Sequence, residues 1–346
     1  MINNILEKLK QKNDLNNNDL ENIYKVFKAK SINEDEIKEL LLSWREKGET
    51  SSEIAFLADL INLEQKQSSK YIDAIDICGT GGDRLNTFNI STLTAITVSS
   101  LGIKVIKHSG RSSTSISGSV DILNEFGIDL DMDEKRKENS FEKTNLMFVS
   151  SKDLREVFGK VKLVSKTLGV AGFVNLLGPL TNPYKTSHHL LGVSNIKWGD
   201  LLSLILKQNN NQKKQSIIAC SKISENEILD ELSFCGTNHI WEIKPENELV
   251  EREITPEEFG YIKTNIEHLK ISNKTENKLI FEIVLKGKFS NIKENECIRA
   301  TALNTGGALY LVNKASSIKS GYDIALKHIQ SGICWEHFQD FINSSN

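Results

Sequence analysis

A glycine-rich segment between residues 76 and 92 has the composition of an anion-binding loop. It follows the first predicted strand and leads directly into a predicted helix. Glycines allow backbone amides to approach a phosphate without side-chain interference, and a helix N-terminus offers further amide donors. The spacing GTGG matches neither the dinucleotide pattern GxGxxG nor the P-loop GxxxxGK[ST]. The residues that we expect to bind the anion are Gly79, Thr80, Gly81, Gly82, Asp83, Thr87, Asn89, Ile90, Ser91 and Thr92.

A second polar loop, residues 107–121, follows the next predicted strand. Its two cations, one histidine and seven hydroxyl residues suit a polyphosphate, with lysine as a point charge and hydroxyls as donors. Loops that follow parallel strands meet at one edge of the sheet, so we expect both loops to face one ligand. The candidate residues here are Lys107, His108, Ser109, Gly110, Arg111, Ser112, Ser113, Thr114, Ser115 and Ser119. The structural alternatives are a helix-capping turn for the first loop and a flexible serine-rich loop for the second.

Two adjacent carboxylates, Asp230 and Glu231, follow a later predicted strand. Alone, such a pair is most simply a solvated surface feature, and two neighbouring residues cannot share one helix face. Beside a pyrophosphate, the pair can hold magnesium, which takes one or two carboxylates together with phosphate oxygens and water. The two phosphate-type loops favour this second interpretation. The pair His188 and His189 lacks further ligands at metal spacing and is interpreted as structural or exposed.

The elements that position these loops differ along the chain. Up to about residue 65, apolar residues recur at helical spacing and predict three or four short helices. Capping-box spacing at Ser31 with Glu34, and at Thr50 with Glu53, predicts two helix starts. Residues 13–19 predict a turn between helices.

From residue 71 onwards, short apolar runs alternate with helical stretches, which predicts an α/β fold with a mainly parallel central sheet. The runs are at 72–77, 93–101, 103–106, 120–126 and 146–149. Further strands are expected at 216–219 and 239–243, and closing helices at 297–312 and 320–331. Residues 244–293 carry weak strand signals at 279–285 and no clear topology, and 207–215 predict a surface loop.

Composition limits the classes of protein that this chain can represent. The net charge of -3, with both signs interspersed, does not favour a nucleic-acid partner. Five scattered cysteines without a CxxC pair predict reduced thiols in a cytoplasmic protein, not a disulfide framework or a zinc knuckle. No apolar run approaches the roughly 18 residues of a membrane span, and the N-terminus lacks a basic region followed by an apolar one. We therefore expect no membrane association and no targeting segment.

Taken together, these segments resemble the anthranilate phosphoribosyltransferase family of tryptophan biosynthesis over nearly the whole chain. The segment GTGGD...TFNIST is highly specific for this family. Further agreement comes from Lys107-His108 and Arg111, Gly118-Ser119 with Asp121, residues 175–183 (NLLGPLTNP), residues 229–233 (LDELS) and residues 303–309 (LNTGGAL).

The resemblance implies a class III phosphoribosyltransferase architecture that forms a homodimer through its helices. Residues 1–66 and roughly 163–184 would form a small helical domain, and residues 67–162 and 185–346 a large α/β domain. The donor would be phosphoribosyl pyrophosphate, bound by both loops, and the acceptor a small aromatic amine, with anthranilate as the first candidate. Ser91, Asp230 and Glu231 would hold two magnesium ions. Lys107 and His108 are the candidate catalytic residues, Lys107 stabilising the departing pyrophosphate and His108 assisting without acting as the base.

The departures from the family pattern gather where its members bind the acceptor. Gly110 stands in place of an asparagine, and residues 150–158 replace a segment with a His-Pro pair. Ser165 and Ala171 stand where arginines are expected near the acceptor carboxylate, so Ser165 is a further candidate binding residue.

Three alternatives to anthranilate transfer therefore stay open. The first is a paralogous phosphoribosyltransferase with another acceptor. The second is a non-catalytic nucleic-acid-binding homologue, which would favour a strongly basic chain with broken donor motifs. The third is a nucleoside phosphorylase of related architecture.

Overall fold

The computed structural model describes residues 2–65, 68–110, 116–150, 152–208 and 215–345. The chain divides into two compact units, Met1–Ser68 with Ser151–Pro183, and Ser69–Ser150 with Tyr184–Asn346. The helices are α1 (Ile2–Lys10), α2 (Asn17–Lys28), α3 (Glu34–Lys47), α4 (Ser51–Glu64), α5 (Ile90–Ser100), α6 (Ser119–Glu125), α7 (Glu134–Thr144), α8 (Lys152–Leu168), α9 (Phe173–Leu180), α10 (Ile196–Gln208), α11 (Lys274–Lys286), α12 (Ile292–Leu311), α13 (Ile318–Gln330) and α14 (Ile333–Ser345). The strands are β1 (Ile75–Gly79), β2 (Val105–His108), β3 (Leu146–Val149), β4 (His188–Gly192), β5 (Gln215–Lys222), β6 (Ile228–Leu229), β7 (Thr237–Ile243) and β8 (Leu249–Ile254). Within these ranges, no helix combines the length and apolar character needed to cross a lipid bilayer.

The first unit is helical and contains α1 to α4, α8 and α9. Its core is aromatic: Trp44 stacks on Phe173 with ring centroids 4.7 Å apart, and Phe27 lies 5.2 Å from Phe158. The buried carboxylate of Glu53 pairs with Lys47 and accepts hydrogen bonds from the backbone amides at two helix starts and from the Trp44 indole. A buried charge held in this way orders the helices around it.

The second unit is built on one sheet of eight strands in the order β3-β2-β1-β4-β5-β7-β8, with β6 paired to β5. The five strands from β3 to β5 are parallel, whereas β6, β7 and β8 join by antiparallel pairs. The expected mainly parallel α/β sheet is therefore confirmed. All five parallel strands end at the same edge, which is where such sheets bind ligands.

The two faces of β1 carry different residues because side chains alternate along a strand. Ile75 and Ile77 belong to the large hydrophobic cluster that includes residues of α5 and α12. Ala74 points to the other face and packs in a smaller cluster with Ile106, Met147 and Tyr184. The second face also carries Asp76 and Cys78, as the alternation requires.

Several local expectations need correction. The capping box at the start of α3 is formed by Asn33 with Glu36, not by Ser31 with Glu34, because the amide oxygen of Asn33 accepts from the Glu36 amide at 3.0 Å. The box of Thr50 with Glu53 is confirmed. The strand signals at 279–285 are wrong, since these residues lie in α11.

The unit boundaries also differ in part from the expected domains. The second segment of the helical unit begins at residue 151, where the family resemblance implied about 163, because α8 is one continuous helix from residue 152. The expected surface loop at 207–215 falls mostly outside the described residues.

Two histidines, His328 of α13 and His337 of α14, contact the C-terminal end of α5 and should make the stability of the protein depend on pH. Burial lowers the pKa of His328, which bonds Ser100 Oγ at 2.8 Å, and of His337, which bonds Ser99 Oγ at 2.9 Å. Below the ordinary histidine pKa of about 6.5, the unfolded chain therefore binds more protons than the folded one. The free energy of unfolding should fall as the pH drops from about 7 towards 5.

The variant His328→Gln with His337→Gln should flatten this pH dependence, as measured by urea unfolding at both pH values. His268→Gln, a change in another part of the same unit, serves as the control and should keep the slope of the wild type. An equally steep loss of stability in the double variant would mean that other groups cause it.

Candidate active site

Strand β6 carries Asp230 and Glu231 to the ligand-binding edge of the sheet. Ser221 of β5 pairs with Asn238 of β7 on one side and with Leu229 of β6 on the other. Strand β6 therefore lies on the same side of β5 as β4, which pairs with residues 215–219 of β5. Strand β6 thus continues the sheet where β4 ends, and the carboxylates that follow it lie beside the carboxyl ends of β4 and β1.

Two glycines allow this close approach. A Cβ atom on Gly192, the last residue of β4, would lie 1.6 Å from the carbonyl oxygen of Asp230. A Cβ atom on Gly79, the last residue of β1, would lie 2.9 Å from Oδ2 of Asp230. The carbonyl of Gly192 also accepts the Thr80 amide at 2.9 Å, so that the ends of both strands are joined.

The anion cradle, residues 79–92, contains a turn in a backbone conformation that favours glycine. Gly81 and Gly82 have φ angles of +64° and +93°, and Arg84 and Asn86 are also left-handed. This conformation turns the amide of Gly81 towards Oδ2 of Asp230, at 2.8 Å. The cradle is therefore joined to the loop that carries Asp230 and Glu231, called the carboxylate loop below. The two segments are about 150 residues apart in sequence.

Three carboxyl groups lie together at this point: Asp83, Asp230 and Glu231. Burial raises the pKa of Asp83 well above its ordinary value, and the charge of Asp230 raises it further. Burial likewise raises the pKa of Glu231, again with a contribution from Asp230. Burial also raises the pKa of Asp230, which interacts with Asp83. A bound cation would favour the charged forms of all three groups, because it would compensate their negative charges directly.

Lys107 lies beneath the cradle and is 2% exposed. Its Nζ atom donates to the carbonyl oxygen of Ile77 at 2.7 Å and to Oγ of Ser91 at 3.1 Å. Burial lowers the pKa of its ammonium group, whereas nearby anions, Cys78 and Glu231 first, counter this effect. Ser91 in turn hydrogen-bonds Glu231. Lys107 thus connects the end of β1 to the start of α5 and to the carboxylates.

The start of α5 is held by side chains from distant parts of the chain. Nδ2 of Asn89 donates to the carbonyl oxygen of Ser117 at 3.1 Å, and Nδ2 of Asn277 in α11 donates to Oδ1 of Asn89 at 2.6 Å. Thr92 donates to Oγ of Ser119 at 3.1 Å. Thr87 forms an isolated bridge with Lys270. The hydroxyl and amide residues of both loops are therefore joined around the first turn of this helix.

The remaining candidates are placed as follows. The backbone amide of His108 donates to Oδ1 of Asp76 at 3.0 Å, Ser109 is buried, and Gly110 is exposed. Arg111 and Ser112 to Ser115 lie outside the described residues. Ser165 belongs to the helical unit, where its hydroxyl donates to the carbonyl of Val170. Its role at the site stays a prediction, as do the roles of the other candidates.

Two supporting residues have no strong sequence signal of their own. Gly192 is one glycine among 21 in the chain, and only its position against Asp230 gives it meaning. The side chain of Asn304 in α12 binds both backbone groups of Leu232, accepting from the amide at 3.0 Å and donating to the carbonyl at 2.8 Å. Asn304 thereby fixes the residue next to Glu231. The segment 303–309 contributes to the family resemblance, which does not reveal this contact with residues 229–233.

The donor set suits magnesium. Carboxylates from Asp83, Asp230 and Glu231, with the hydroxyl of Ser91 beside them, are the hard oxygen ligands that this ion prefers. Burial and mutual charge raise the pKa values of these carboxyl groups, which indicates that the site carries more negative charge than its own residues balance.

Comparison with known proteins agrees with this architecture. A family model described as "Glycosyl transferase family, a/b domain" matches residues 72–334. The anthranilate phosphoribosyltransferases of Nitrosopumilus maritimus and Bacillus cereus are each 31% identical to this chain over its whole length, covering 97% and 98% of their own.

Solved structures give the same result for the fold. The anthranilate phosphoribosyltransferase of Thermus thermophilus superposes with a TM-score of 0.81 at 26% identity, over 98% of both chains. The enzyme of Saccharomyces cerevisiae, solved in complex with PRPP and Mg, superposes with a TM-score of 0.84 over 99% of this chain and 97% of its own, at 24% identity. On sequence similarity over its full length, and with the carboxylate loop and glycine cradle in one site, this chain belongs to the anthranilate phosphoribosyltransferase family.

Proposed function

We propose that this protein transfers a 5-phosphoribosyl group from phosphoribosyl pyrophosphate to an aromatic amine, with anthranilate as the acceptor and pyrophosphate as the leaving group. The observation that carries this proposal is the contact between the cradle and the carboxylate loop, made by the Gly81 amide and Asp230. Such a site combines amide donors for phosphate with oxygen ligands for a divalent cation. The relatives at 31% identity carry the same activity in their names.

We infer that Asp83, Asp230, Glu231 and Ser91 hold magnesium together with the pyrophosphate oxygens of the donor, and that two ions bind. When bound, magnesium compensates the negative charge that develops on the leaving pyrophosphate. The amides of the cradle and of the first turn of α5 would bind the phosphates. The site must also hold the ribose carbon in line with the acceptor nitrogen. Positioning alone lowers an activation barrier by several kcal/mol, up to about 7–11 kcal/mol in the best cases.

Lys107 would act on this reaction by positioning. Its ammonium group is already bonded to Ile77 and Ser91, so it holds the end of β1 and the start of α5 in register. Its positive charge also lies near Glu231 and Asp230 and limits the repulsion between them. His108 is fixed through its backbone amide by Asp76, which keeps it next to the cradle without assigning it the role of a base.

Two properties of the whole protein belong to the same proposal. We infer a homodimer that forms through the helical unit, in which Leu42, Leu63 and Leu163 are exposed at 48%, 75% and 62%. We also infer a cytoplasmic location, which the five buried cysteines, none of which forms a disulfide bond, support.

The acceptor side carries the observation that favours a second candidate, transfer to an aromatic amine without an ortho carboxylate. Ser165 and Ala171 replace two expected arginines, and the Ser165 hydroxyl is engaged by the carbonyl of Val170. A cation nevertheless reaches this segment, because Nη1 of Arg45 donates to the carbonyl of Ala171 at 3.0 Å. Arg45 lies in the same unit and reaches the backbone of Ala171, so it is a candidate replacement for the missing charge.

We expect wild-type protein with magnesium and phosphoribosyl pyrophosphate to use anthranilate with a raised KM, at ordinary affinity for the donor. Loss of one charge-assisted hydrogen bond to a carboxylate costs about 1.5 to 3 kcal/mol, or roughly 10 to 150-fold in affinity. Ser165→Arg should recover part of this loss, and Arg45→Ala should raise the KM for anthranilate further. Steady-state kinetics that follow anthranilate fluorescence and pyrophosphate release measure both effects.

Aniline, which lacks the carboxylate, separates the two candidate functions. A preference for aniline in the wild type, reversed by Ser165→Arg, would establish the second candidate. Absence of pyrophosphate release with either amine, together with turnover of a nucleoside and inorganic phosphate, would refute phosphoribosyl transfer altogether.

A further inference from the structure

A separate group of metal-type ligands lies on the other face of β1. Asp76, Cys78 and His189 each offer one ligand atom, and the three atoms lie within 4.8 Å of one another. Sγ of Cys78 and Nε2 of His189 are 3.2 Å apart. All three side chains are buried, at 1%, 5% and 1% exposure respectively.

The sheet register brings these residues together on rigid backbone. Asp76 and His189 are Cα partners in the parallel pair of β1 and β4, and Cys78 lies two residues further along β1. Residues two apart on a strand share a face, and directly paired residues in a parallel sheet do so as well. Leu190 points to the opposite face, with Ile77 in the large hydrophobic cluster. The group is therefore set by two neighbouring strands rather than by a loop.

From this arrangement we propose that Asp76, Cys78 and His189 form a binding site for a borderline-soft divalent cation of the zinc class, with the fourth position taken by water. Thiolate, imidazole and carboxylate are the ligands that zinc uses, and three protein ligands with one open position are a common zinc arrangement. Bonds of about 2.3 and 2.1 Å at a tetrahedral angle separate sulfur and nitrogen by roughly 3.6 Å. The observed 3.2 Å needs to widen by only a few tenths of an ångström.

Charge also favours such a cation. In this buried place, one divalent cation balances the carboxylate of Asp76 and the thiolate of Cys78, and buried charges require compensation. Binding replaces the thiol proton of Cys78 and releases it to the solvent. The ammonium of Lys107 interacts electrostatically with both anions and helps to stabilise the thiolate. The same positive charge repels the metal ion and therefore lowers its affinity. The backbone amide of His108, a further ionisable neighbour, donates a hydrogen bond to Asp76.

The site is distinct from the proposed magnesium site in ligand chemistry and in position, since its ligands lie within strands and not in the loops that follow them. Asp83, Asp230 and Glu231 offer oxygen only, whereas this group contains sulfur and nitrogen. The inference does not depend on phosphoribosyl transfer. Its consequence for that reaction would be mechanical, because Cys78 precedes Gly79 and a metal bridging β1 to β4 would restrain the end of the strand that begins the cradle.

Cobalt(II) titration of the metal-free, full-length protein tests the proposal, because cobalt replaces zinc and its bond to a thiolate gives a charge-transfer band in the near ultraviolet. We expect one equivalent to produce this band, and added zinc to remove it. Cys78→Ala should abolish the band, and His189→Gln should lower the affinity for cobalt at least roughly tenfold. Cys297→Ala, which removes another fully buried cysteine, should leave the titration unchanged.

Two further measurements make the result decisive. Zinc should raise the melting temperature of the wild type but not of Cys78→Ala, which distinguishes a bound metal from adventitious surface binding. Asp230→Asn with Glu231→Gln should keep the band, because this variant leaves the sulfur ligand in place. If Cys78→Ala does not fold by circular dichroism, Cys78→Ser replaces it. Absence of the band in the wild type, or its persistence without Cys78, would mean that the contact is only a hydrogen bond between cysteine and histidine.

Discussion

Replacing Asp230 with asparagine and Glu231 with glutamine should lower kcat/KM for phosphoribosyl pyrophosphate roughly 1,000-fold, about 4 kcal/mol, while the protein stays folded. The amide side chains keep the shape of the loop, and the asparagine oxygen can still accept the Gly81 amide. The variant loses the negative charge that attracts magnesium. We expect donor binding at millimolar magnesium to resemble the weak binding that the wild type has without the metal.

The pKa directions at this site add a second readout to the same experiment. Because the pKa values of Asp83 and Glu231 are raised in the metal-free site, magnesium must displace protons to bind there. Affinity for magnesium should therefore fall as the pH is lowered. Calorimetry in two buffers of different ionisation enthalpy should detect proton release in the wild type and much less in the double variant.

Glu225→Gln with Glu227→Gln is the matched control, since it removes two charges, one exposed and one half-buried, just before β6. This control should bind donor and magnesium like the wild type. Magnesium-independent donor binding of equal strength in wild type and the Asp230 and Glu231 variant would place the metal elsewhere and remove the main support for the mechanism.

The cradle was predictable because its information is local. Glycines directly after a strand, followed by a helix start, favour a turn whose backbone can approach a ligand closely, wherever the rest of the chain lies. The positive φ angles of Gly81 and Gly82 agree with that expectation. The parallel strands were predictable for the same reason, and the bounds 146–149 of β3 are the residues expected from the sequence.

The errors concern segments in which local signals are ambiguous. Residues 279–285 are an almost continuous apolar run, which has no period by which a strand and a helix can be told apart. The structure resolves this ambiguity, because Ile280, Phe281, Val284 and Leu285 form the buried face of α11. At α3, both Ser31 and Asn33 stand three residues before a glutamate, and only the folded backbone selects Asn33.

Contacts between distant strands were beyond the reach of the sequence. No residue near His189 in the sequence indicates a further metal ligand, and the adjacent pair His188 and His189 is interpreted from sequence as structural or exposed. Only the register of β4 against β1 brings His189 to Asp76 and Cys78. The role of Gly192 could not be predicted for the same reason. Gly192 ends β4 and Asp230 follows β6, and only the pairing of both strands with β5 brings the two residues together.

Gly192→Ala should weaken magnesium-dependent donor binding at least 100-fold, about 2.7 kcal/mol, by displacing the carboxylate loop. The added Cβ would lie 1.6 Å from the carbonyl oxygen and 2.7 Å from the carbonyl carbon of Asp230. These are backbone atoms, so no side-chain rotation relieves the overlap, and either β6 or the end of β4 must shift. A shift of β4 would also break the bond from the Thr80 amide to Gly192.

The loss of binding must be separated from a loss of folding, because overpacking by itself costs about 1 to 3 kcal/mol. Melting temperature and circular dichroism measure the second effect, and calorimetry with phosphoribosyl pyrophosphate and magnesium measures the first. Gly159→Ala in α8 is the matched control, since a Cβ there meets nothing within 4 Å and an alanine favours the helix by up to about 1 kcal/mol. A folded Gly192→Ala protein with wild-type donor affinity would mean that the carboxylates keep their place without the end of β4. The expected loss of donor binding would instead establish that the missing side chain of Gly192 sets the position of the metal ligands. The backbone of Asp230, which follows β6, occupies the space that a Cβ atom of Gly192 would need.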